Sequence, residues 1–582
     1  MESGTNTDST TGGGASGSFY FSNLETSLPD SPNAGSLGNG FASFLLGQAD
    51  SAQRLAAIVS RTFSNPYMAL FIDDKIQVTP KLVITPGVRY EVAWPYREIH
   101  GRMSALDLHL ANAGAGGLPG AYVFGASKIL PRLDLREWGP RLGIAYQWNN
   151  KTVMRAGYAW IYAPTNGAGQ ASYQTGGYNL FAGYSVINSF ASTNGGVTPG
   201  TLVDKGFPAF TVTLPVIDPT IANGAFADYL NGGGGKQSST QNWQLSVQRD
   251  VGWNTVVEAA YVANKASHLP AGLENLNQVP IKYLGLGSLL SQDISSAAAQ
   301  AAGIKSPYPG FSGSVNQALL PFPQFLGITE QIEPLGNSSY NSMQMKVQKR
   351  TSNGLAFLVS YTLSKTLTDT SLSGFATFNS AALDTANRRL ERSLAGNDQT
   401  HNVVMSWVYE VPLGKNARGP VAKLAKGWIV GGIASYRSGT PIGIGGGPDL
   451  LIFNGGNRPN RVPGVPERAS FKGSFDPAAD LYLNINAFSQ PAPFTIGNVS
   501  RVEPSLRTFP ALNENLSAIK RTYVPKISEV FNVEFKAEFF NIFNRTQFGY
   551  PNANINDPTS FGVVGYQANL PRSIQFSLRV NF

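Results

Sequence analysis

"RSIQFSLRVNF", residues 572–582, closes the chain, and its reading decides the fold. Ile574, Phe576, Leu578, Val580 and Phe582 are apolar, and Gln575, Ser577, Arg579 and Asn581 between them are polar, an unbroken period of two. Such a strand turns one face to an apolar medium and the other to water.

The same alternation recurs upstream in pairs of segments joined by a few turn-forming residues. "YMALFIDDKIQV" (67–78) and "LVITPGVRYEVAW" (82–94) flank "TPK"; in the second, Leu82, Ile84, Val88, Tyr90, Val92 and Trp94 share one face and Thr85, Arg89 and Glu91 the other. "RLGIAYQW" (141–148) and "TVMRAGYAWIY" (152–162) flank "NNK", and "NWQLSVQR" (242–249) and "TVVEAAYVA" (255–263) flank "DVGWN". "SMQMKVQKR" (342–350) and "LAFLVSYTLSK" (355–365) flank "TSNG", residues that tolerate positive φ. "NVVMSWVYEV" (402–411) with "GWIVGGIASYR" (427–437), and "NLSAIKRTY" (515–523) with "EVFNVEFKAEFFN" (529–541), complete six pairs. With the last segment these make thirteen strong strands; "GSFYFSN" (17–23) and part of 52–64 are weaker candidates.

Between the pairs lie segments rich in Gly, Asn, Ser and Pro, at 95–139, 163–241, 264–340, 365–401, 438–514 and 542–571. They are far longer than ordinary connections. A soluble sandwich has no reason to keep its short turns at one end, whereas an outer-membrane barrel has short periplasmic turns and long extracellular loops. Strands of about ten residues, tilted, cross the hydrocarbon core, and closure into a barrel leaves no edge unpaired in lipid. Trp94, Trp148, Trp160, Trp243, Trp253 and Trp428 fall at or near strand ends, where an aromatic girdle sits.

Composition excludes other classes. Charged residues are 14% of the chain and its net charge is +8, but Lys and Arg are scattered singly, so no nucleic-acid partner is expected. Cysteine is absent, which removes disulfides and thiolate chemistry. No apolar run approaches the roughly 20 residues of a membrane-spanning helix. The start, "MESGTNTDSTTGGGASGS", lacks the basic and apolar regions of a signal peptide, so either the protein is cytoplasmic or its true beginning is missing.

The hairpins resemble a known family. "FIDDKIQVTPKLVITPGVRYE", "GPRLGIAYQWNNKTVMRAGYAWIY", "NWQLSVQRDVGWNTVVEAAYVANKASHL", "YNSMQMKVQKRTSNGLAFLVSYTLSKTL", "HNVVMSWVYEVPLGK", "NRRLERS" (387–393) and "FNVEFKAEFFNIFNRTQFGYPN" are similar, in order and over most of the chain, to the barrel of Oar-like TonB-dependent receptors. The resemblance implies a barrel of 22 strands preceded by a signal peptide, often a carboxypeptidase-regulatory-like domain, and a plug with a TonB-contacting segment. None of those preceding parts is found here. The expectation is an all-β antiparallel transmembrane barrel of about 14 to 16 strands, the C-terminal part of the larger one, with residues 1–51 as a polar Gly/Ser-rich segment that could carry one barrel strand and 52–582 as the barrel domain. A truncated chain is expected, unable to perform energised transport alone.

The resemblance also implies partners: outer-membrane lipid, the barrel-assembly machinery, the TonB complex through the missing plug, and a ligand that is a siderophore, glycan, vitamin or peptide. It gives the final strand a role. The family's assembly signal runs polar, any, Gly, two of any kind, apolar, any, aromatic; Gln575, Val580 and Phe582 fit it, and Ser577 stands where Gly is usual.

Catalytic and cofactor readings fail on spacing. "NGGGGKQSS" (231–239) has Gln237 where a phosphate loop needs Ser or Thr, and "GIGGGPDLLIFNGG" (443–456) lacks a dinucleotide-binding context; both read as loops. Asp73 and Asp74 are neighbours on a strand and point to opposite faces. His100, His109, His268 and His401 show no metal spacing, and His401 reads as a structural loop residue. No enzyme, metal or cofactor is expected. "NRRLERS" is a charge cluster in which Arg388, Arg389 and Arg392 could contact an anionic ligand. The other class of function is a non-transporting β-rich surface protein for binding or adhesion, and the destination of the apolar face separates the two.

Overall fold

The fold is given by a computed structural model. It describes all residues except 1–4, 9–16, 29–36, 59–60, 65, 96, 126–131, 164–181, 195, 208–210, 212, 231–235, 270, 272–273, 332–333, 371–381, 415–418, 420–423 and 448–456.

Thirteen long strands form the frame: β1 (Tyr67–Asp73), β2 (Leu82–Ala93), β3 (Glu137–Asn149), β4 (Thr152–Ala163), β5 (Ser238–Gly252), β6 (Thr255–Leu269), β7 (Gly336–Ser352), β8 (Leu355–Thr368), β9 (His401–Val411), β10 (Trp428–Arg437), β11 (Ala511–Tyr523), β12 (Asn532–Phe540) and β13 (Ser573–Asn581). Each pairs antiparallel with its chain neighbours, so the sheet is a single up-and-down meander; Ile76–Thr79 and Ser393–Leu394 bring it to 15 strands. Among the described residues β1 and β13 are its two edges. No helix of the described residues is long and apolar enough to cross a membrane.

The expected strands are all present. They differ in two ways. β5 to β8 run beyond the expected ends into stretches such as "SSTQN", where Ser, Thr and Asn carry no apolar alternation, so the ladder continues without a sequence signal. The first segment is split, because its ladder to β2 breaks between Asp73 and Ile76 opposite Pro86, which has no N–H to give. The weaker candidates lie outside the large sheet. Ser51–Ile58 pairs with Ser18–Tyr20 and Ser185–Ala191, and Arg61–Ser64 with Thr5–Asp8 and Arg97–Glu98.

Register keeps the alternation in phase from strand to strand. One cross-strand row reads Leu82, Tyr146, Met154, Val247, Ala259, Met345, Tyr361, Val403, Tyr436, Leu512, apolar or aromatic across ten strands. The row on the opposite face reads Arg155, Ser246, Ala260, Gln344, Thr362, Asn402, Arg437. A slip of one residue anywhere would exchange the faces. On the apolar face Leu245, Met343 and Met345 are 51%, 44% and 44% exposed, a surface that only lipid can cover.

Antiparallel pairing puts the short connections 150–151, 253–254 and 353–354, with 412–427 and 524–531, at one end of the sheet. Two are tight turns with positive φ at both central residues, Trp253 (49°) and Asn254 (56°), and Asn353 (53°) and Gly354 (78°). The long connections fill the other end, and they are folded. Ser104–Ala111, Pro119–Phe124, Phe226–Leu230, Glu274–Asn275 and Gly327–Gln331, drawn from three loops, build a five-stranded sheet. Tyr122, Phe325 and Ile328 pack beneath it. A second core joins Ile442, Tyr482, Leu483 and Phe488 of one loop to Phe561 and Val564 of the next. A third gathers Leu290, Val315 and Leu320, with Phe494 against them. The segments read from the sequence as long loops therefore form a packed layer.

Candidate functional site: the polar face and its loop layer

The polar face offers hydrogen-bonding side chains in rows, and toward the short-turn end it holds a cavity of about 500 Å³. Leu358, Val408 and Ile433 supply apolar wall, and Ser406, Asn515 and Glu538 supply polar groups. Its depth depends on Gly431. A Cβ there would stand 3.0 Å from the Trp407 carbonyl oxygen and 3.5 Å from Ser517 Oγ. A mixed wall of this kind suits contact with a ligand or a polypeptide segment. Sequence reading missed it because the lining comes from six strands.

At the loop end of the same face, Glu91 accepts from Arg89 Nε at 2.7 Å and from the Tyr67 hydroxyl. The buried Glu137 stands opposite Glu91 in register. No group of three or more His, Cys, Asp or Glu able to hold a metal occurs among the described residues.

The structure divides the cluster at 387–393. Glu391 turns inward and is buried, bonded by Arg458 and 3.8 Å from Arg501 Nε. Arg458 also donates to the Leu390 carbonyl at 3.1 Å, and Arg501 to the Glu391 carbonyl at 3.2 Å. Burial pulls both guanidinium groups below their usual pKa, and the Glu391 charge opposes that pull. Arg388 donates to the Asp369 carbonyl at 3.1 Å, Arg389 is exposed, and Arg392 is exposed at the rim of a second cavity. The three candidate arginines therefore do not converge on one point.

Trp148, Trp253 and Trp428 lie at the short-turn end, and Trp94 and Trp160 at the loop end, with Trp243 paired to Tyr158 and Ala263. Trp138 and Trp407 belong to the same apolar face; Trp138 packs against Tyr90 with ring centres 4.4 Å apart and planes tilted by 33°. Register makes their face plain, whereas sequence reading, which looked at strand ends, passed over both. β13 pairs with β12 along its whole length, Gln575 opposite Glu538 on the polar face and Val580 opposite Val533 on the apolar one. Phe582 extends past the strand, 94% exposed.

His401 is the first residue of β9 rather than a loop residue, its Nδ1 2.9 Å from the Tyr361 hydroxyl. Of "NGGGGKQSS", residues 231–235 lie outside the described residues, as do 448–456 of the other glycine-rich stretch. Gly443 and Gly445 of the latter donate to the Tyr550 hydroxyl and the Ala553 carbonyl, so its start is part of the packed layer.

The sequence matches the family described as outer membrane beta barrel domain over residues 2–575. No curated protein matches it. Solved structures similar to it include the ferripyoverdine receptor of the outer membrane of Pseudomonas aeruginosa, at 10% identity over 89% of this chain and 39% of that one, with a TM-score of 0.37. The ferric-catecholate import receptor Fiu of Escherichia coli K12 is 11% identical over 89% and 45%, with a TM-score of 0.36. The FrpB iron transporter of Neisseria meningitidis is 11% identical over 96% and 50%, with a TM-score of 0.37. The chain spans half or less of the length of each of these three.

Proposed function

The chain belongs to the outer membrane beta barrel domain family and lies in the outer membrane, and on that premise we propose that it is the barrel of a TonB-dependent receptor. In this reading the loop layer receives a ligand at the cell surface and the polar face forms the wall past which it moves. The observation that carries it is the unbroken apolar row across ten strands, backed by a polar row and crowned at one end by folded loops. A soluble binding protein has no use for such a row; a channel wall in lipid requires it.

The resemblance to Oar-like receptors supports TonB coupling and offers siderophores, vitamins, glycans and peptides as ligand classes. Gln575, Val580 and Phe582 would serve as the signal read by the assembly machinery, and the tryptophans of the apolar face would sit at the two lipid interfaces.

The test scores cells expressing the chain, with and without TonB, for surface binding and for uptake of ferric siderophores, cobalamin and oligosaccharides. Saturable binding of one class in both backgrounds is expected, and accumulation that needs TonB would establish the coupling. Binding of none would overturn the receptor reading and leave a surface protein for adhesion.

A further inference from the structure

The ladder between β8 and β9 ends at Leu363 opposite His401, and β8 then takes a new partner, Leu367 pairing with Leu394 of the short strand Ser393–Leu394. Between the two pairings, residues 395–400 leave the sheet and cross the gap. They are held by the Ser364 N–H on the Thr400 carbonyl (2.9 Å), the Ala395 N–H on the Thr366 carbonyl (3.0 Å) and the Thr366 N–H on Asp398 Oδ1 (2.7 Å). The notch this leaves is a cavity of about 430 Å³, closed on its far side by the loop strand Glu503–Arg507.

Its charge is one-sided. Lys365, Arg392 and Arg507 line it, from three segments distant in sequence, together with the hydroxyl residues Thr400 and Ser500, and among the described residues no carboxylate lines it. Each nearby carboxylate is engaged, and Asp398 offsets the charge of Arg507, which leaves Lys365 and Arg392 as the cations the lining offers. Asp398 is buried and grips Arg507 at 2.6 Å, Glu391 belongs to Arg458, and Glu503 accepts from the Ser500 N–H at 3.0 Å. Arg507 also donates to the Asp398 and Gly439 carbonyls, at 3.1 and 3.0 Å, so it is a fixed wall. Lys365 and Arg392 are exposed, on long side chains that can reach a guest in the notch. Two such cations over a notch rimmed by hydroxyls attract a compact solute carrying two or more negative charges.

We propose that this notch is a binding site for a small soluble polyanion bearing carboxylate or phosphate groups. The site rests on the receptor reading only in that the loop end faces the outside of the cell, and binding can be measured without transport. Loss of binding would therefore leave the receptor reading untouched.

The full chain, folded in a non-ionic detergent free of lipid phosphate, is titrated with citrate and with inorganic pyrophosphate by calorimetry. Saturable one-site binding of at least one is expected, weakening as salt rises. Lys365→Gln and Arg392→Gln should each lower the affinity about tenfold, the loss expected for one charge-assisted contact. Lys472→Gln, which alters an exposed cation of the loop layer outside the lining, should leave it unchanged. Neither Lys365 nor Arg392 is buried, so the variants should fold, and circular dichroism of each would verify it. Absence of saturable binding, or an equal loss in Lys472→Gln, would overturn the site, the second because it would mean diffuse attraction to surface charge.

Discussion

Glu391 is the residue on which the loop layer turns. Replacing it with alanine leaves Arg458 and Arg501 buried without this counter-charge, which costs about 3–5 kcal/mol. We expect Glu391→Ala to open the packed loops to protease while β7 to β10 stay protected, as measured by limited proteolysis with mass mapping. Glu503 behaves differently. Burial lifts its carboxyl above the usual range, and the neighbouring Glu467 adds to the lift, against the bond from the Ser500 N–H. The folded form therefore holds this proton more tightly than the unfolded chain. The group favours folding in acid, and that contribution fades as pH rises from the ordinary carboxylate range through the raised value. Glu503→Gln should flatten the dependence, read as hydrogen-exchange protection of residues 500–507 as pH rises from the ordinary carboxylate range. The charge cluster around Glu391 was legible in the sequence, but its division was not. The partners Arg458 and Arg501 stand 67 and 110 residues away, and only the fold brings them to the carboxylate.

At the scale of the strand, the pattern of apolar and polar residues contained nearly everything. All thirteen long strands follow from period two, because one face must meet lipid and a slip is costly. Their outer extensions do not, because a ladder above the bilayer can be built from Ser, Thr and Asn without preference for a face. The assignment of faces has a direct test in neighbouring residues of β7. Met345→Arg places a cation in the apolar row and should destabilise the protein in lipid vesicles by about 2–4 kcal/mol, whereas Gln344→Arg, on the polar face, should change little. Urea titration of the refolded protein would measure both; equal effects would mean that the faces are misassigned. The last strand carries its own prediction. If the terminal aromatic is read during assembly, Phe582→Ser should reduce the amount inserted in the outer membrane of growing cells while leaving refolding into vesicles in vitro unchanged, since the exposed ring makes no packing contribution there.

For the whole molecule, the separation of short turns from long loops predicts a sidedness that the absence of cysteine makes easy to measure. Single cysteines introduced at Asn150 and Asn353 should be shielded from a membrane-impermeant maleimide in intact cells and react after the outer membrane is opened. One at Ala478, in the loop between β10 and β11, should react in both. Sequence reading saw this sidedness in loop lengths alone. It did not see that the loops are folded, because two of their cores join residues of separate connections, and the third, within 279–320, carries no strand alternation to announce it.

The core that joins Ile442, Tyr482 and Phe488 to Phe561 and Val564 spans two connections, one before β11 and one after β12. Phe475, Tyr482 and Phe509 of the first half pack on one another, and Phe548 of the second half joins them only with the hairpin that leads into the final strand. The packing of the crown is thus complete only once the last hairpin is in place. A chain halted before its last hairpin would present sticky, half-made loops that quality-control proteases can recognise, and a chain that has seated β12 and β13 would bury them in one step.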